Sequence, residues 1–112
     1  MVAGLAVIDI LMPGCRSLKE KRGVLKRVLK RTQNEFNVSI AEVGDNDQWK
    51  RARIGFCVVG NEKQYINAKM DHILDFIDSL HVAEIVKSKM EIMSMDDLLD
   101  PWEGNVEKYD EF

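Results

Sequence analysis

Hydrophobic and polar positions change period along this chain in an order that defines its elements. Residues 3–12 alternate, with Ala6, Ile8, Ile10 and Met12 on one side and Leu5, Val7, Asp9 and Leu11 on the other. Period two with β-branched residues predicts a strand, and apolar residues on both sides predict a central one. Pro13-Gly14 ends it as a turn. From Ser17 the period becomes helical. Leu18, Leu25, Val28, Leu29, Thr32 and Phe36 mark one apolar face, and Ser17 and Glu20 stand at capping-box spacing. Gly23 costs this helix about 1 kcal/mol relative to Ala, which predicts a close contact there. Asn34 to Asn37 is the exit.

Val38 to Val43 reads as a second strand, the polar stretch Gly44 to Gln48 as a turn, and Trp49 to Gly60 as a third strand. So short a turn predicts an antiparallel hairpin. Asn61 is the expected cap of a second helix, in which Ile66, Met70, Ile73, Leu74, Ile77 and Leu80 recur at helical spacing. Val82 to about Met93 reads as a fourth strand.

The order β-α-β-β-α-β is that of the split βαβ, ferredoxin-like α+β sandwich. It implies a four-stranded antiparallel sheet, and right-handed crossovers place both helices on one face. The other face is open and carries Leu5, Val7, Asp9, Leu11, Ser39, Ala41, Val43, Arg53, Cys57 and Val59. That is unusually apolar for a solvated surface. Self-association, or cover by Leu98, Leu99 and Trp102, would account for it. The expected organisation is a domain at 1–94 followed by an acidic tail at 95–112.

Charge changes this picture more than composition does. The 112 residues are 46% hydrophobic and 31% charged, as in an ordinary globular domain. The net charge of −3 conceals a strong polarity. Residues 16–31 hold eight Lys and Arg against Glu20 alone, whereas residues 91–112 hold eight acids against Lys108 alone. No apolar run reaches the roughly 20 residues of a bilayer span, so no membrane role is expected. The N-terminus lacks a basic n-region and Asp9 interrupts its apolar run, so a strand is expected there and not a signal peptide. Cys15 and Cys57 make no disulfide framework, which points to free thiols and a cytoplasmic protein.

Pro13-Gly14, Ser17-Leu-Lys-Glu-Lys-Arg22 with Val24-Leu-Lys26, Phe36-Asn-Val-Ser39, Ala41-Glu-Val43, Asp47, Trp49, Arg51-Ala52 and Gly55 together resemble the YlxP-like family of small bacterial proteins. The resemblance runs from residue 1 to about 93. It implies the same ferredoxin-like fold. Family members are often encoded near translation and ribosome-maturation factors, which implies a role around RNA or the ribosome. The acidic extension beyond residue 94, Gly23 and Cys15 depart from the family pattern.

Arg16, Lys19, Arg22, Lys26 and Lys30 recur at spacings of three and four and form a cationic ridge, flanked by Lys21, Arg27 and Arg31. Such a ridge suits phosphates, because each contact releases condensed counterions. A solvated outer face is the usual fate of a charge run, but like charges at i,i+4 cost about 0.2–0.5 kcal/mol per pair, and a purely structural face would mix signs. Trp49, Arg51 and Arg53 form a second candidate patch for stacking or backbone contact. The expected partner is rRNA or a ribosomal particle. The alternative is a protein-interaction or regulatory module, with a homodimer through the open sheet face and the acidic tail masking the basic helix.

The open face carries no Phe, Tyr or Trp apart from marginal Trp49, so base stacking of the RNA-recognition-motif kind is not expected. Cys15 beside Arg16 and a helix N-terminus has two features that lower a thiol pKa. Asp45 and Asp47 lack the other ligands of a calcium loop. His72 and His81 lack metal-ligand spacing. No Walker loop, dinucleotide fingerprint or nucleophile elbow occurs, and neither catalysis nor a cofactor is expected.

Overall fold

A computed structural model describes residues 1–95. The acidic tail, with Leu98, Leu99 and Trp102, lies outside the described residues. The elements run β1 (Val2–Leu11), α1 (Leu18–Glu35), β2 (Ser39–Gly44), β3 (Arg51–Gly60), α2 (Lys63–Ser79) and β4 (Glu84–Ser94). The four strands form one sheet in the order β2-β3-β1-β4, every neighbour antiparallel. This is the ferredoxin-like arrangement predicted from the element order.

Alternation along each strand builds the core. Ile8, Ile10, Ile54, Phe56 and Val58 are buried on the helix side, where Leu25, Val28 and Thr32 of α1 and Ile66, Met70, Ile73 and Ile77 of α2 meet them. Phe36 and Phe76 join the two helices edge to face, with ring centroids 5.6 Å apart. Gly4 lets α2 lie close on β1, since a Cβ there would fall within 2.7 Å of Ile66 Cγ2.

Several boundaries differ from those expected. β3 begins at Arg51, so Trp49 stands in the connecting loop, and β4 begins at Glu84 because Val82 precedes the first pairing with β1. The cap of α2 is Glu62, not Asn61, and it makes no side-chain cap bond. At α1 the Glu20 N–H donates to Ser17 Oγ at 3.1 Å, but the Glu20 carboxylate accepts from Arg16 N–H and not from Ser17. Gly23 is exposed with open space where a Cβ would point, so the close contact predicted there is absent.

Candidate polyanion-binding ridge

Burial divides α1 into two sides. Lys21, Leu25, Val28 and Thr32 are buried, and at 100° per residue they point one way. Arg16, Lys19, Arg22, Lys26, Arg27, Lys30 and Arg31 are exposed, most of them on the opposite side. Gly23 lies in the middle of that cationic side. Among the described residues, none of these seven side chains has an acid partner. From Lys19 to Lys30 the ridge runs about 16 Å at 1.5 Å per residue.

Lys21 does not belong to the ridge. It is 1% exposed, its Nζ lies 3.0 Å from Glu42 Oε2, and it donates to the Asp45 carbonyl at 2.6 Å. The Glu42 oxygen is paired by charge without an aligned hydrogen bond. A flexible stem lets a lysine reach across the sheet margin, and there a carboxylate and a carbonyl meet its Nζ. The signal that could have revealed this was Glu42. It shares the β2 side of Ile40, hence the helix side, and a charged residue in that position needs a partner.

The second candidate patch is divided. Trp49 is exposed in the 45–50 loop, which Lys21 ties to α1 through Asp45. Arg51 and Arg53 instead lie on the open face, across the sheet from α1. The Arg53 guanidinium is engaged with Asp9, donating from Nε at 2.7 Å and from Nη2 at 3.2 Å. This fork holds the Asp9 carboxyl below its usual range, and the carboxylate in turn raises the Arg53 pKa. The loop of Trp49 is therefore tied to α1 through its buried side, while Arg51 and Arg53 lie on the open face.

A groove of about 420 Å³ runs beside the ridge, floored by Leu25 and Leu29, flanked by Arg22, Lys26 and Lys30, and also lined by Gln33 and by Glu42, the partner of Lys21. A cleft of about 520 Å³ near the start of α1 has the opposite sign, with Glu20, Asp78 and Glu84 on its walls. Cys15 borders this cleft but is buried, and burial, followed by the nearby Glu20 charge, raises its thiol pKa. The lowered pKa expected from its neighbours in sequence is thus overturned, since loss of water and the Glu20 charge outweigh the nearby Lys21 cation. Among the described residues, no group of three His, Cys, Asp or Glu side chains could hold a metal ion, and no helix is long and apolar enough to cross a membrane.

Fold and ridge together define a ferredoxin-like domain with a cationic outer helix. Comparison with known proteins then places it. The chain belongs to the family described as "Protein of unknown function (DUF503)", whose model matches residues 3–90. The "Uncharacterized protein YlxP" of Bacillus subtilis (strain 168) is 43% identical over 76 residues, covering 68% of this chain and 83% of that protein. The YlxP-like resemblance read from the motifs is therefore sound. Among solved structures, the de novo designed protein Foldit4 matches with a TM-score of 0.47 and 14% identity over 84% of this chain and 98% of its own, a likeness too slight to carry an argument.

Proposed function

We propose that this protein is a non-enzymatic, cytoplasmic RNA- or ribosome-associated factor that contacts phosphates through the outer side of α1. The observation that carries this reading is the set of seven exposed cations on and just before α1, most of them opposite its buried side and none with an acid partner among the described residues. A polyanion would relieve their mutual repulsion and release counterions on binding. Arg22, Lys26 and Lys30 also overhang the apolar groove, which gives a sugar or base room beside a bound phosphate. Binding of this kind reads charge and shape more than sequence, as expected where the open sheet face has no aromatic stacking platform among the described residues.

The test is co-sedimentation with ribosomal subunits across a salt series. Four phosphate contacts would give a log–log salt slope of about −3. Reversing Lys19, Arg22, Lys26 and Lys30 to Glu should abolish binding while the circular dichroism spectrum is unchanged. Undiminished binding by that folded variant would remove α1 as the contact.

A further inference from the structure

We propose that the open sheet face is a homodimer interface with a specific register, in which a two-fold axis runs across the strands between Val7 and Leu5. This proposal is independent of the phosphate reading, because α1 lies on the other side of the sheet.

The face has the composition of an interface. Leu5, Val7, Val43, Val59 and Met93 are each 42–57% exposed on it. A contiguous apolar surface of this kind on a small domain marks an association site. At Gly55, in its centre, the Val43 side chain lies over the backbone, its methyls 3.1 and 3.4 Å from where a Cβ would stand, so the face is filled there by Val43.

The strand register specifies a second copy as the occupant. Residues directly opposite in the ladder share a face. Ala41, Gly55, Val7 and Lys89 therefore form one rung, and Ser39, Cys57, Leu5 and Glu91 form the next. An isologous contact lays a patch on itself in reverse. With the axis between these rungs, Lys89 meets the partner's Glu91, Leu5 meets the partner's Val7, and Cys57 comes over the partner's Gly55, where Val43 lies. The cationic position thus faces the anionic one. Moving the axis onto the Val7 rung would instead set Lys89 against Lys89, and moving it onto the Leu5 rung would set Glu91 against Glu91. The neighbouring rung holds Arg53 and Asp9, which neutralise each other, and Lys87 on the edge strand β4; this axis brings the apolar Val59, Ala3 and Met93 rung over them. Sheets packed in this way lie about 10 Å apart with strands nearly aligned.

Sedimentation equilibrium of the full chain tests the proposal. A dimer is expected at about 100 µM, above the micromolar limit of weak standard-sized interfaces. Leu5→Lys should yield monomer. Lys89→Glu and Glu91→Lys should each raise the dissociation constant roughly tenfold, because each change acts twice in a symmetric pair and replaces attraction with repulsion. The double variant Lys89→Glu/Glu91→Lys should restore wild-type affinity. Both charged positions are exposed, so their variants fold. A monomeric wild-type chain at that concentration, whether the face is bare or covered by residues 96–112, overturns the proposal. So does a dimer that Leu5→Lys leaves intact, or a double variant that stays as weak as the singles.

Discussion

Two ion pairs lie on opposite faces of the same sheet, and they do different work. Lys21 and Glu42 meet on the helix side, where Lys21 has no access to water and Glu42 little. Arg53 and Asp9 meet on the open side, where the guanidinium is half exposed. The first pair ties α1 to β2 and, through the Asp45 carbonyl, to the loop that carries Trp49. The second neutralises charge on a face that sets apolar residues beside Arg51, Lys87, Lys89 and Glu91. Both include a cation that sequence alone counts toward a basic surface, and neither cation is free for a polyanion. Burial decides what a charge is for, and a charge run records only how many there are.

Lys21→Met should break the comparison most sharply. It removes the partner of a carboxylate with little solvent and frees the Asp45 carbonyl, a loss of about 2–3 kcal/mol by urea denaturation. Lys30→Met, nine residues along the same helix but outward, should stay within about 0.5 kcal/mol. The double variant Lys21→Met/Glu42→Leu should recover most of the loss, because no charge is then left without its partner. Equal effects at Lys21 and Lys30 would contradict the division of α1 into two sides.

A smaller effect of opposite sign comes from the outer side itself. Gly23 stands among the exposed cations with nothing where a side chain would go. Gly23→Ala should therefore stabilise the protein by about 1 kcal/mol, the propensity difference in a helix interior. Destabilisation in the same urea assay would mean that the outer side is packed.

The sheet order, the helix-facing core and the apolar open face were all legible in the sequence, because period two and period 3.6 report directly on which side each residue takes. Ser17 as cap was legible for the same local reason. What escaped was whatever depends on residues far apart in the chain. Lys21 pairs with Glu42 across 21 positions, and Arg53 with Asp9 across 44. Lys21 was counted with the flank of the ridge for its charge, although its spacing of 4, 7 and 11 to Leu25, Val28 and Thr32 sets it on the buried side, where β2 supplies its partner. Cys15 failed similarly. Its sequence neighbours are of the kind that lower a thiol pKa, yet the fold removes it from water and the shift is upward. Gly23 shows the converse error, since a helix glycine suggests contact and here there is none.

The smallest expected effect concerns the open-face pair and its sign with pH. Arg53 holds the folded-state Asp9 pKa below its unfolded value, chiefly through their hydrogen bond. Between those two values the unfolded chain binds more protons than the folded one. The pair therefore stabilises the fold above the unfolded carboxylate pKa, and this contribution is lost as pH falls through the folded value. Asp9→Asn keeps the shape and removes the charge. Its urea midpoint should lie slightly below wild type at neutral pH, by much less than that of Lys21→Met. The difference should close as both are taken from about pH 5 toward pH 2. Dilute protein keeps self-association out of the measurement. A gap that persists unchanged to the acid end would show that Asp9 contributes through shape, and that the two ion pairs differ in more than their exposure to water.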